Sequence, residues 1–219
     1  MKRAALARII DHTELHAYAT LVDIEELCDE AVEWGFASVS INSAWTSYCA
    51  RRLKDTDVIV DTVVGFPLGA NTPHTKIEEA REAVKNGATE IDAVINVGAL
   101  KSGYGDFVEQ EIGALVRAVK DIPLKVILET SYLTAEEKVA VCEMSLRAGA
   151  AFVKTSTGFG LGGATVEDVQ LMRMVVGDAI GVKAAGGIRT YGQAVAMIEA
   201  GASRLGTSAG VAILADAPK

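Results

Sequence analysis

Residues 147–158 read Arg-Ala-Gly-Ala-Ala-Phe-Val-Lys-Thr-Ser-Thr-Gly, and their order decides the fold. A helical segment ends at a glycine, small residues follow, a short apolar run comes next, and a glycine-bearing loop closes the unit. Glycine in that place supplies a left-handed C-terminal cap, and the small residue after it lets helix and strand pack closely. The same ending recurs as Trp34-Gly35-Phe36-Ala37, Asn86-Gly87-Ala88 and Ala200-Gly201-Ala202, each directly before another apolar run.

Working outward, short Val- and Ile-rich runs alternate with longer segments of helical period, which is the pattern of parallel β/α folds. The expected strands are Ile9–Thr13, Ser38–Asn42, Ile59–Phe66, Glu90–Val97, Leu124–Thr130, Phe152–Ser156, Ile180–Ala185 and Arg204–Ser208. Ile24, Leu27 and Ala31 form one helical stripe between them, and Val108, Ile112, Leu115 and Val119 form another. Most strands are nearly continuous in apolar residues, as when helices cover the outer face. Eight strands with seven intervening helices suit an α/β fold of the (β/α)8 TIM-barrel kind, one domain over residues 1–219. The rival is an open doubly wound sheet, whose glycine fingerprint GxGxxG is absent after the first strand.

Composition narrows the function. The chain is 50% hydrophobic and carries 21 basic against 29 acidic residues, a net charge of −8. That balance offers no broad field for a polyanion, so no nucleic-acid partner is expected, although a few local cations around one small phosphate remain compatible. Cys28, Cys49 and Cys142 are widely spread with no CxxC pair, which argues against a disulfide framework or a thiolate zinc site. The start, MKRAALARII, runs into Asp11 and His12 without a long apolar core, and nothing later approaches a membrane span. The expectation is a cytoplasmic protein with no membrane partner. His12, His16 and His74 are the only histidines and have no carboxylate cluster beside them, so no metal site is expected.

Three strands break their apolar pattern. Asp92 shares a face with Val94 and Asn96, Lys154 with Phe152 and Ser156, and Lys183 stands between Gly181 and Ala185. If those faces point inward, two lysines and an aspartate project into one barrel interior, near the strand ends where barrel catalysis sits. The alternatives are that each lysine snorkels from a strand end, or that one forms a structural ion pair with Asp92. Lys125, whose end of its strand faces the barrel bottom, is read as that case. A lysine attacks a carbonyl only as the free amine, scarce at pH 7 because the ordinary pKa is about 10.4. Desolvation and a second ammonium nearby both lower it. A lysine pair with a carboxylate therefore reads as Schiff-base chemistry: a nucleophile, an electrostatic tuner and a proton carrier.

Ala185-Gly186-Gly187-Ile188-Arg189 follows the seventh strand and Gly206-Thr207-Ser208-Ala209-Gly210 the eighth. In barrels these loops commonly hold a phosphate, with backbone N–H groups close to the oxygens and Ser208 adding a hydroxyl. Gly158-Phe159-Gly160-Leu161-Gly162-Gly163 looks like a nucleotide loop, but is read as a lid or turn.

At these residues the sequence resembles the deoxyribose-phosphate aldolases, a class I aldolase family, over nearly its whole length. The matching stretches are Ile10–Thr13, Val64–Gly69, Glu90–Asp92, Val94–Leu100, Phe152–Gly158 and Gly186–Arg189, in that order. The resemblance implies reversible cleavage of 2-deoxy-D-ribose 5-phosphate to D-glyceraldehyde 3-phosphate and acetaldehyde, with no cofactor. It implies that Lys154 forms the Schiff base, that Lys183 lowers its pKa and shares in proton transfer, and that Asp92 works with Lys183 through a water. Asp11 and Thr13 would line the substrate pocket with Thr157 nearby, and Gly186, Gly187, Gly206 and Ser208 would bind phosphate. It also implies a homodimer or larger homo-oligomer. Ser40, Ser43 and the Glu14-Leu15-His16 stretch depart from the family pattern and bear on substrate preference. Two other readings share the lysines: a Schiff-base aldolase acting on a keto acid, and a phosphosugar-binding barrel without catalysis.

Overall fold

The computed structural model describes residues 1–218. Its strands are β1 (Ile10–Glu14), β2 (Ser38–Ile41), β3 (Ile59–Val64), β4 (Glu90–Val94), β5 (Leu124–Ile127), β6 (Phe152–Lys154), β7 (Gly181–Ala185) and β8 (Arg204–Thr207). Every neighbour pair is parallel, and β8 returns to β1 with Leu205 opposite Ile10, so the sheet closes as an eight-stranded barrel without a free edge. The expected (β/α)8 architecture is what forms. Several strands stop short of their expected ends because the trailing residues turn into loops. Asn96, for example, leaves β4 to cap the next helix, its side chain accepting the Ala99 N–H.

The helices are α1 (Arg3–Ala7), α2 (Leu21–Trp34), α3 (Thr46–Arg52), α4 (Pro73–Lys85), α5 (Val97–Lys101), α6 (Gly105–Val119), α7 (Ala135–Ala148), α8 (Val166–Val176), α9 (Tyr191–Glu199) and α10 (Gly210–Ala215). Their starts are written in side chains: Thr20 with Asp23, Thr134 with Glu137 and Thr190 with Gln193 form reciprocal capping boxes. Gly35 and Gly149 end α2 and α7 in the left-handed conformation. The two expected stripes are buried, on α2 and α6. They meet the outward strand residues, such as Val39, Ile41, Val60, Val64, Ile91 and Val126. Each such aliphatic side chain stabilises the fold by about 1.5–3 kcal/mol relative to exposure.

The inner face is unlike the outer. A TIM barrel usually fills its interior with branched aliphatics. Here Asp11, Asp61, Glu90 and Asp92 meet Lys125, Lys154, Lys183 and Arg204 in the interior, and all but the partly buried Arg204 are almost wholly buried. Contacts across the lumen fix their direction: Lys183 on β7 reaches Asp61 on β3, half the barrel away, at 3.0 Å. Lys125 does not snorkel. Its ammonium is fully enclosed, 3.0 Å from Asp61, 2.6 Å from Glu90 and 2.9 Å from Asp92, because its strand alternation turns it into the lumen. It is a structural ion-pair hub. Below it, the Arg204 guanidinium bonds Asp11 and Glu90 and lies over the Phe152 ring, closing the barrel bottom.

Candidate active site

Lys154 ends β6 and Lys183 is its register partner on β7. One oxygen of Asp92 joins them: Oδ2 lies 2.7 Å from the Lys154 Nζ and 2.7 Å from the Lys183 Nζ. The three residues expected to carry the chemistry are therefore in direct contact, with Asp92 between the ammonium groups.

The two lysines differ in company. Lys183 also touches Asp11 at 2.5 Å and Asp61 at 3.0 Å, so three carboxylates surround it. Burial alone would lower its pKa, but Asp11, Asp61 and Asp92 together hold it above the ordinary lysine value. Lys154 bonds Asp92 alone. Burial pushes its pKa below the ordinary value, the Lys183 charge pushes the same way, and Asp92 only partly opposes them. Asp92 itself, despite burial, is held well below the usual carboxylate range by Lys125, Lys154 and Lys183. The result is one lysine kept as a cation, one inclined to the free amine, and an ionised carboxylate touching both.

Above them a cavity of about 360 Å³ opens at the C-terminal ends of the strands. Lys154 forms part of its wall. Thr13, Thr157, Gly186, Gly187, Gly206 and Ser208 line it as well, so these expected site residues converge on one space. Gly186 and Gly187 take φ of 90° and 81°, and the loop after Lys154 packs on them. Ala164 donates its N–H to the Gly186 carbonyl, and a Cβ on Gly163 would sit 2.2 Å from that same oxygen. The glycine-rich loop is thus a turn packed on the loop after β7.

Asp11 does not line the cavity. It lies one inward layer below Thr13 on β1, fully buried, with its carboxylate on Lys183 and Arg204. Its role is in the ion cage. The histidines are separated in use: His12 points outward from β1 to Glu30 of α2, at 2.6 Å, while His16 lines the cavity and bonds Glu14.

Sequence reasoning missed four contributors. Asp61 interrupts an apolar run, Ile59-Val-Asp-Thr-Val-Val64, in the same way as Asp92, so its signal was present. Arg204 begins a strand, where a charge is unremarkable. Arg189 lines the cavity beside Gly187 and adds a cation to that end. Glu129, buried just beyond β5, accepts hydrogen bonds from the backbone N–H and the hydroxyl of Thr157. It ends the apolar run Val126-Ile-Leu128 at the C-terminal end of an expected strand, so its signal was present too.

Comparison with known proteins follows the same lines. The family described as DeoC/LacD family aldolase matches residues 5–216. A deoxyribose-phosphate aldolase of Caldanaerobacter subterraneus subsp. tengcongensis is 63% identical over 212 residues, covering 95% of this chain and 92% of that one. A Coccidioides immitis structure, provisionally assigned as a deoxyribose-phosphate aldolase, superposes with a TM-score of 0.96 at 46% identity, covering 99% of this chain and 87% of the other. The tetrameric deoxyribose phosphate aldolase of Aeropyrum pernix gives 0.91 at 33% identity, covering 97% and 91%.

Proposed function

The chain belongs to the DeoC/LacD aldolase family, and on that premise we propose how its interior performs a retro-aldol cleavage. The reaction is the reversible conversion of 2-deoxy-D-ribose 5-phosphate to D-glyceraldehyde 3-phosphate and acetaldehyde. The observation that carries the residue assignment is the Asp92 carboxylate held 2.7 Å from both the Lys154 and Lys183 ammonium groups, beneath the cavity.

In the cleavage direction the neutral Lys154 amine adds to C1 of the open-chain sugar phosphate. Loss of water leaves a protonated imine. A base takes the C3 hydroxyl proton, the C2–C3 bond breaks, and its electrons flow into the iminium to give an enamine. Glyceraldehyde 3-phosphate departs. Protonation of the enamine carbon and hydrolysis of the new iminium release acetaldehyde and restore the amine. Asp92 and Lys183 form the proton-carrying pair: one accepts, the other remains charged, and Asp92 touches the Lys154 nitrogen while Lys183 meets the same Asp92 oxygen. The imine is itself the electron sink, so the scheme uses no cofactor. Lys183 contributes twice, as a fixed positive charge that adds to burial in lowering the Lys154 pKa and as a neighbour that meets the same Asp92 oxygen.

At the other end, the Gly186-Gly187 and Gly206–Ser208 loops hold the phosphate, with Arg189 adding charge. Two glycines at positive φ allow close approach of backbone N–H groups to phosphate oxygens. The three buried free cysteines, among them Cys28 whose thiol donates to the Cys49 sulfur at 3.8 Å, support a reducing cytoplasmic setting. The Aeropyrum relative's tetramer supports a homo-oligomer, which light scattering of the purified protein tests.

Borohydride reduction in the presence of acetaldehyde, followed by peptide mass spectrometry, tests the nucleophile. Condensation, loss of water and reduction add about 28 Da, and the adduct is expected on Lys154. Folded protein with no adduct, or an adduct on Lys183 instead, overturns the assignment. Pyruvate in place of acetaldehyde separates this reading from a keto-acid aldolase: it is expected to leave no adduct.

A further inference from the structure

Glu129 is unused in the scheme above, yet three independent features are built around it. Its backbone is left-handed, with φ 57° and ψ 64°, and among the described residues only Lys120 is another non-glycine residue at positive φ. That conformation costs a residue with a Cβ roughly 1–2 kcal/mol. It creates a one-residue bulge: Leu128 donates its N–H to the Lys154 carbonyl and Thr130 to the Thr155 carbonyl, both at 2.9 Å, while Glu129 between them is turned aside. The turn carries its side chain back beneath Thr157. There the carboxylate is almost fully buried, and its Oε2 accepts both the Thr157 hydroxyl, in a short bond, and the Thr157 N–H at 3.3 Å. Room for it is reserved by Gly160, where a Cβ would stand 2.8–3.0 Å from the carboxylate carbon and oxygens.

A free threonine hydroxyl rotates and can donate or accept. Glu129 Oε2 already accepts the Thr157 N–H, so it meets Thr157 as an acceptor and the Thr157 hydroxyl turns its proton to it. The Thr157 oxygen then has lone pairs and no hydrogen to offer. One lone pair takes the Phe159 N–H at 3.0 Å, and Thr157 forms part of the cavity wall beside Lys154. We propose that Glu129 is a positioning residue that fixes Thr157 as an obligate hydrogen-bond acceptor for a substrate hydroxyl. The group it serves is an O–H on the sugar chain between the reacting carbonyl and the phosphate. A site built to accept from a hydroxyl disfavours an analogue lacking it, because the acceptor is then left unpaired. This assignment rests on the aldolase reading, and its test separates the two.

Glu129→Leu in the intact enzyme is compared in two reactions. Cleavage of deoxyribose 5-phosphate requires the hydroxyl contact. Deuterium exchange into the methyl group of acetaldehyde in D2O requires only Lys154 and the proton-transfer pair. The expected result is a roughly ten- to hundredfold fall in kcat/KM for cleavage, carried mainly by KM, since no acceptor now orients the Thr157 hydroxyl. Glu129→Gln, whose amide oxygen still accepts, recovers part of that loss. Exchange stays within about twofold of wild type, and Glu129→Leu adds less than about twofold when Thr157 is already valine, because the two residues act as one unit. Cleavage and exchange falling in parallel, unchanged cleavage, or independent losses in the double variant would each overturn the proposal. If Glu129→Leu does not fold, Gly160→Ala, which crowds the same carboxylate, is read by the same criteria. Wild-type enzyme that exchanges no deuterium would instead sink the aldolase reading itself.

Discussion

The lower and upper halves of the barrel interior use the same residue types to opposite ends. In the lower half every cation has more than one carboxylate: Lys125 has three, Lys183 three and Arg204 two. Ammonium groups so matched are stabilised as cations, which is why Lys125 and Lys183 are both held above the ordinary lysine value. In the upper half Lys154 has a single carboxylate, already shared with Lys183, and a cavity in place of further partners. In the proposed mechanism reactivity comes from being under-compensated, and the matched layer beneath makes that tolerable by fixing Asp92 from below.

The comparison breaks most visibly at Lys154. Lys154→Ala is expected to lower cleavage on the order of 10⁴-fold or more, because the covalent route is lost. Its thermal midpoint should stay close to wild type, since Asp92 keeps Lys125 and Lys183 as partners. A variant that turns over normally, or one that fails to fold, would contradict the division between the halves. The lower half predicts the reverse ranking. Lys125→Met removes one ammonium from Asp61, Glu90 and Asp92 and leaves them short of positive charge. The expected cost is about 3–5 kcal/mol of stability. For a chain of this size that lowers the melting midpoint by roughly 10 °C, as scanning calorimetry would record. An unchanged midpoint would mean that the interior tolerates the uncompensated carboxylates.

How much of this was legible follows from the same division. The strands were readable because helix-covered strands are continuous apolar runs, and Asp92, Lys154 and Lys183 stood out because they interrupt such runs. Asp61 interrupts one too. A period of two says which residues share a face, but not that Asp61 meets Lys183, 122 positions away across the lumen. Lys125 reads as a structural lysine, either snorkelling or paired with Asp92, and the ion pair is the half that forms. That Asp61 and Glu90 join it is hidden because the pattern along one strand does not say what its neighbours supply. Asp11 was placed one layer too high, since a motif gives the strand and not the depth. Glu129 depends on a left-handed backbone and on a missing Cβ at Gly160, neither of which composition or spacing reveals.

The boundary between the halves can be sharpened by pH. In the proposed mechanism Lys154 must be neutral to react, and burial with the Lys183 charge holds its pKa below the ordinary value. The acid limb of kcat/KM is therefore expected below about 10.4. Asp92 acts in the other direction, raising Lys154 by stabilising its ammonium. Asp92→Asn should thus move the limb to lower pH while reducing kcat through loss of the proton carrier. A limb that moves upward would show that Asp92 does not stabilise the charged form of Lys154.

The smallest effect belongs at the far end of the cavity, where the contacts are exposed. Ser208 lines the cavity but is open to solvent, so under the proposed function its hydroxyl would compete with water for a phosphate oxygen. A buried hydrogen bond to a charged group contributes about 1.5–3 kcal/mol, and exposure reduces that toward the value of a neutral one, about 1 kcal/mol. Ser208→Ala should accordingly raise KM for the phosphorylated sugar by roughly threefold to tenfold with kcat nearly unchanged. The sharper reading uses unphosphorylated deoxyribose as well: its poor cleavage should not worsen in the variant, because the lost hydroxyl serves only the phosphate. If both substrates suffer equally, Ser208 supports the loop after β8 rather than the anion, and the phosphate contacts then rest on the glycine backbone and Arg189.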